Sequence, residues 1–256
     1  MILEHLDDLA IYSATELAAM SSVSKATVSR LYRRLGFENS VAVRDQARDL
    51  ALERRASGEP GVLADSHAVG LARIPLDAHV ERETANLRAT FSRLDADGPA
   101  RAIATAARVV VVGFRNSYPV ALHLREQLAQ SRPDVVLAPQ PGQSLGEELT
   151  GLGRGDVVVV VAFRRRPTLV GAMLERLAEE GVPTVLLADE SAGHLAALST
   201  HPIICPLETG EDFDSYASVM SVVSVLAGAV LAERGDAGRA RVRQIAAAYE
   251  ELGEVE

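Results

Sequence analysis

Asp156-Val-Val-Val-Val-Val-Ala-Phe163 places five consecutive valines between an acid and a run of arginines. β-Branched side chains favour extended backbone, and an unbroken apolar run leaves no polar face for water. A strand of this kind is buried on both faces, which points to a parallel sheet covered by helices. Four similar short runs accompany it, at 108–112, 134–138, 183–188 and 202–206, each bounded by Gly, Pro or charge. The stretches between them, at about 116–131, 142–152, 167–180 and 191–199, read as helices. This alternation, with right-handed crossovers, predicts a doubly wound α/β sandwich. Longer helices at about 77–94, 212–234 and 237–252 flank it.

Outward from that core, the composition is ordinary. The chain has 256 residues, 48% hydrophobic and 24% charged, which excludes disordered, collagenous and disulfide-stapled classes. The single Cys205 excludes an intrachain disulfide and a cysteine-based zinc cluster, and its apolar setting reads as core packing. Residues 215–232 carry no charge and approach spanning length. Ser215, Ser218, Ser221 and Ser224 interrupt them, which reads as a small-residue stripe on a buried or subunit-interface helix. No positively charged segment precedes an apolar stretch at the N-terminus, so the expected compartment is the cytoplasm.

The net charge of −9 runs against a nucleic-acid binder, whose footprint is usually basic. Its distribution says otherwise. Residues 1–22 hold four acids and no base, residues 23–55 are net +4, and residues 56–256 are net −9. Ala56-Ser-Gly-Glu-Pro-Gly61 is a cluster of chain breakers at the boundary. The expected organisation is a small all-α domain over 1–55, a linker over 56–76, and the sandwich over 77–256.

The small domain reads as short helices. Ser13-Ala-Thr-Glu16 is a capping box, with Leu17 and Met20 on one face behind it. Ser24 is a second N-cap, and Val28, Leu31 and Leu35 follow at helical spacing before Gly36. A third amphipathic stretch runs over 41–55. Two helices joined by a tight turn, the second polar and basic, form a helix-turn-helix whose second helix enters the major groove. The expected core side is Val23, Val28, Leu31 and Leu35. The expected DNA-reading side is Ser24, Lys25, Ala26, Thr27, Ser29, Arg30 and Arg33. Ser24, Thr27 and the helix N-terminus suit phosphates, and Arg30 suits the guanine edge.

Tyr12-Ser-Ala-Thr-Glu-Leu-Ala18 with Val23-Ser-Lys-Ala-Thr-Val-Ser-Arg-Leu-Tyr-Arg-Arg-Leu-Gly-Phe37 resembles the helix-turn-helix of RpiR/MurR-type bacterial transcription regulators. The resemblance covers nearly the whole chain. It implies that the sandwich is a sugar isomerase (SIS) domain that senses a phosphosugar. It also implies a further helix ahead of Met1, of which Met1-Ile-Leu-Glu-His-Leu6 reads as the end. Ser22 stands where the family's turn commonly has Gly, so the turn must adjust.

In an open parallel sheet, ligands bind beyond the carboxyl ends of the strands. The first such loop holds Gly113, Arg115, Asn116 and Ser117, with a hydroxyl, a cation and a helix N-terminus suited to phosphate. It resembles the first serine loop of SIS domains. The second is Ala162-Phe-Arg-Arg-Arg-Pro-Thr168. Here the family commonly carries Ser-x-Ser-Gly-x-Thr, and this chain has Ala162, Arg164 and Arg165 in place of the serines and glycine, with Thr168 nearby. Consecutive arginines at a buried strand's end are costly unless they face solvent or an anion. Ser144, Glu147, Glu148, Asp189, Ser191 and His194 could line the same edge, and each reads first as a cap or surface group. His123 reads as a surface or interface residue.

Three functional readings follow. The first is a DNA-binding regulator, homodimeric or larger, whose effector is a phosphosugar or related anion. The second is an SIS-fold sugar-phosphate isomerase, for which no general base is tied to either loop by spacing. The third is a DNA-binding oligomer with a degenerate, non-sensing SIS domain. No phosphate loop, His-Glu-x-x-His or Gly-x-Ser-x-Gly motif occurs, and no cofactor, metal or catalysis is expected.

Overall fold

The computed structural model describes Ala18, residues 23–34, Phe37, Val43, residues 75–209 and residues 213–254. The Ser13–Glu16 capping box, the Ser22 turn, Leu35, Gly36 and the 56–61 breaker cluster lie outside the described residues. So do most of the 41–55 stretch and of the 56–76 linker.

The chain divides into two compact units. In the first, helix α1 (Lys25–Arg34) buries Val28 and Tyr32 against Ala18 and Val43, with Phe37 at the edge. Ser24 opens it: its Oγ accepts the Thr27 N–H at 3.2 Å. Two expected core positions need correction. Val23 is 42% exposed, because it precedes the cap and lies off the buried face, and Leu31 is only half-buried. The buried line is Val28 and Tyr32, four residues apart on one side of the helix.

Helix α2 (Leu76–Phe91) leads to the second unit, which is the sandwich. There follow α3 (Asp97–Thr105), β1 (Val109–Gly113), α4 (Ser117–Ser131), β2 (Val135–Ala138), α5 (Leu145–Leu149) and β3 (Val157–Val161). Then come α6 (Leu169–Glu179), β4 (Thr184–Ala188), a 3-10 turn (Glu190–Ala192), α7 (Gly193–Ala196), β5 (His201–Ile204) and α8 (Ala217–Leu252). All five strands are parallel, in the order β2-β1-β3-β4-β5. Each expected strand is present: β2, β3 and β4 are trimmed at their ends, β1 keeps its length but lies one residue further on, and β5 starts one residue earlier and stops at Ile204.

The valine run explains the three layers. Val157, Val159 and Val161 face one core with Leu124 and Leu128 of α4 and Val222 and Leu226 of α8. Val158 and Val160 face the other, with Val170, Leu174 and Leu177 of α6 and Leu195 of α7. Two-residue alternation thus serves both faces of one strand.

Four helical expectations change. The 142–152 segment forms helix only over Leu145–Leu149, and 191–199 splits into the 3-10 turn and α7. The C-terminal pair starts at Ala217 rather than 212; its expected break is present within α8 at Gly235, whose non-helical φ of 54° suits a residue without Cβ. Helix α3 was not anticipated. Pro99 sits in its first turn, where the missing N–H has no intrahelical partner to lose, and Asp95 Oδ1 takes the Asp97 N–H at 3.1 Å.

The apolar half of α8 meets the length and hydropathy of a membrane span. Ser218, Val219, Val222, Val223, Leu226 and Val230 are nevertheless buried within the sandwich. The serine stripe does not hold one face. Ser218 is buried on the Pro206 carbonyl at 3.0 Å, while Ser224 is exposed, because a three-residue repeat drifts by about 60° per step on an α-helix.

Candidate functional site

Between β1 and β3 the connections leave the sheet in opposite directions: β1 passes to β2 on one side, and β3 to β4 on the other. This reversal opens a crevice at the carboxyl ends of those strands. Gly113 pairs with Val161 in the last rung, so the two expected ligand loops start side by side.

The β1 loop turns tightly. The Ser117 N–H donates to Phe114 O at 2.9 Å and the Tyr118 N–H to Arg115 O at 3.0 Å, which starts α4. Gly113 permits the approach, since a Cβ there would lie 2.6 Å from Ala121 Cβ and 2.8 Å from Ser117 O. Arg115 has φ of 52°, a left-handed conformation that costs an arginine about 1–2 kcal/mol. It is exposed, with no side-chain hydrogen bond or ion pair among the described residues, and Asn116 beside it is exposed as well. Ser117 is buried, and its Oγ accepts the Phe163 N–H at 3.2 Å. The hydroxyl therefore ties the two loops together and keeps one proton to donate.

In the β3 loop, Ala162 and Phe163 are buried, and the Phe163 ring meets Tyr216 edge-on at 5.6 Å. Arg164 is half-buried, and Arg165 and Thr168 are exposed, Thr168 at the start of α6. Arg166 turns inward. Its Nε donates to Ala162 O, and its terminal nitrogen to Asp189 Oδ2 and Ser191 Oγ, each at 2.8 Å.

Asp189, at the end of β4, accepts the Arg164 N–H at 2.7 Å, the Ser191 N–H at 2.9 Å and the Ser191 hydroxyl. Burial pushes its carboxyl up. The Arg166 guanidinium, the Ser191 hydroxyl and the two backbone N–H groups outweigh burial and hold it below the usual range. Ser117, Phe163, Arg164, Asp189, Arg166 and Ser191 thus form a belt of hydrogen bonds across the ends of β1, β3 and β4.

The expected residues Gly113, Arg115, Asn116, Ser117, Ala162, Arg164, Arg165 and Thr168 all lie on the two loops that flank the crevice. The Arg166–Asp189 pair was not anticipated as a unit. Its only sequence signal is an acid at a strand's carboxyl end facing an arginine run. Ser144 caps α5 in position only, without a side-chain bond, Glu147 and His194 are exposed, and His123 is half-buried. Cys205 lies just past β5 rather than within it, and burial pushes its thiol up to about 12. A cavity of about 310 Å³ lies between α3 and α8, lined by Asp97, Ala100, Ala229, Ala232 and Glu233. Its two acids make it unsuited to an anion.

In the first unit, Lys25, Ala26, Thr27, Arg30 and Arg33 are exposed on α1, with Ser29 half-buried. Thr27 Oγ1 lies 2.9 Å from Ser24 Oγ, and an Arg30 terminal nitrogen donates to it at 3.5 Å.

A family model described as SIS domain matches residues 102–232. No curated protein matches the chain. Among solved structures, the chain is similar to the sugar isomerase domain of an RpiR transcription factor from Sphaerobacter thermophilus. That match has a TM-score of 0.61 and 24% identity, covering 68% of this chain and 98% of that one. It is also similar to the Vibrio vulnificus NanR protein complexed with ManNAc-6P. There the TM-score is 0.62 and the identity 21%, covering 98% of this chain and 90% of that one. At these identities the likeness is one of fold.

Proposed function

The chain belongs to the SIS-domain family through residues 102–232, and on that premise we propose that it is a cytoplasmic, homo-oligomeric transcriptional regulator. In this reading the sandwich senses a phosphosugar or related anion, and α1 reads a DNA operator.

The observation that carries the sensing is the crevice between β1 and β3. Two loops meet there, with Arg115 exposed on one wall and Arg164 and Arg165 on the other. The first turn of α4 and Ser117 lie at its base. This arrangement suits an anion by charge, by backbone N–H groups and by its position at a topological switch point. That the Vibrio vulnificus neighbour is complexed with ManNAc-6P supports the ligand class.

Asp189 is unsuited to serve as the general base that an isomerase would need. A general base needs an accessible lone pair near the reacting carbon. The Asp189 oxygens already accept from Arg164, Arg166 and Ser191.

On the DNA side, exposed Lys25, Arg30 and Arg33 lie on one helix with its N-terminus capped by Ser24. A dimer would place two such helices on a pseudo-palindromic site, and effector binding would bias their spacing. Coupling of that kind is typically about 1–3 kcal/mol.

Isothermal titration of the full chain with ManNAc-6P and a panel of sugar phosphates tests the sensing. Saturable binding is expected, weakened about tenfold or more in Arg115→Ala, the loss of one charge-assisted contact. Absence of binding by every member would leave the degenerate-domain reading in its place.

A further inference from the structure

The three consecutive arginines of the β3 loop have different tasks. Arg166 has a side chain only 15% exposed, against 8% for Asp189, and the two are paired at 2.8 Å. Asp189 fixes the start of the loop by accepting the Arg164 N–H at 2.7 Å. It also fixes the following turn through Ser191. The loop therefore needs an acceptor at this position. A bare carboxylate there would repel any anion in the neighbouring crevice, since charges in a poorly solvated site act over several ångströms.

We infer that Arg166 is a positioning residue that compensates Asp189, allowing a carboxylate to order the crevice loop without repelling the anion. The inference rests on the anion-binding reading of the crevice. It assigns Arg166 to the protein's own interior charge rather than to the ligand.

The groups around Asp189 are consistent with this pairing. From the β3 loop it meets Arg166 and the Arg164 N–H, and on its own turn Ser191. Cys205 lies behind it as a neutral thiol. Glu190, next in the chain, is paired with Arg93 at 3.4 Å. Arg164 and Arg165 are the other two cations of the loop.

Sulfate is the probe, because it stays a dianion across the pH range used. Titrations compare the full-length wild type with Arg166→Gln, Asp189→Asn and the double variant. At pH 7.5, Arg166→Gln should weaken sulfate binding about tenfold or more, because an uncompensated carboxylate then faces the ligand. Its affinity should recover toward pH 5, as Asp189 without its counter-charge takes up a proton. Asp189→Asn gives up the acceptor for the Ser191 N–H but keeps an amide oxygen for the Arg164 N–H, and with Arg166 then uncompensated it should tighten sulfate. The double variant should return to within about threefold of wild type, since both charges leave together.

A merely structural ion pair would weaken binding in both single variants, and that result overturns the inference. Unchanged affinity in Arg166→Gln overturns it equally. If Arg166→Gln does not fold, the sign of the Asp189→Asn effect decides: tightening supports the inference and weakening overturns it. Failure of the wild type to bind either sulfate or ManNAc-6P overturns the anion-site reading itself, and this inference with it.

Discussion

Gly113 carries more of the site than its size suggests. It ends β1, pairs with Val161, and lets the first turn of α4 close onto the strand. The atoms a Cβ would meet are a neighbouring Cβ and a backbone carbonyl, neither of which yields easily. Gly113→Ala should therefore destabilise the chain by about 1–3 kcal/mol in urea unfolding, as overpacking does. Anion affinity should fall with it, because Ser117 and Arg115 belong to the turn that must shift. A silent Gly113→Ala would mean that the approach of α4 is not tight. Arg115 and Ser117, though two residues apart, differ in kind. One is exposed in a left-handed conformation, and the other is buried and tied to Phe163. Their types alone do not distinguish those roles, since both suit a phosphate.

At the scale of elements, α3 shows how the C-terminal end of a short helix is held. Its C-terminal carbonyls find no helical partner. Arg132, almost fully buried, donates to the carbonyls of Ile103, Ala106 at 2.9 Å, Ala107 at 3.2 Å and Pro133 at 3.0 Å. Arg234 of α8 adds the Ala104 carbonyl at 3.3 Å. Burial lowers the Arg132 pKa, the Arg234 charge lowers it further, and Asp134 works the other way. Arg132→Leu would keep the packing but leave several buried carbonyls unpaired. A loss of about 3 kcal/mol is expected, seen as a lower urea midpoint with an unchanged slope. Arg132→Lys should recover little of it, because a single ammonium cannot reproduce a planar fork. The sequence around residue 132 carries no sign of this task. The carbonyls it serves lie up to 29 residues away and meet it only after β1 and α4 have folded.

For the whole molecule, the net charge of −9 conceals a basic 23–55 segment. Groove binding depends on that local patch rather than on the total. With DNA selected from a random library by the full chain, affinity should fall steeply with salt. Arg33→Ala should reduce the log–log salt slope by about one if it meets a phosphate. Arg30→Ala should instead erase the preference for selected over scrambled DNA. Equal wild-type binding to both DNAs would refute specific operator recognition. The composition of residues 215–232 points to a buried or subunit-interface helix, the apolar half of α8. Its inner face is taken by the sandwich's own core, and on its outer side Ser224 and Val225 are exposed.

The sequence by itself determined the layered sheet. Five short apolar runs are enough to identify five strands, because β1, β3 and β4 are buried along their whole length and even the edge strand β5 keeps Ile203 in the core. It also placed both crevice loops, since a parallel strand's carboxyl end is set by chain direction alone. Only the tertiary structure decided which arginine faces outward and which faces Asp189, because partners 23 residues apart are brought together by crossovers and not by spacing. The same holds for α3, whose helix is completed by Arg132 and Arg234, and for the face of α8 that remains exposed. A residue's type records what it can bond, and its partner is fixed only when strand order sets which chain ends are neighbours.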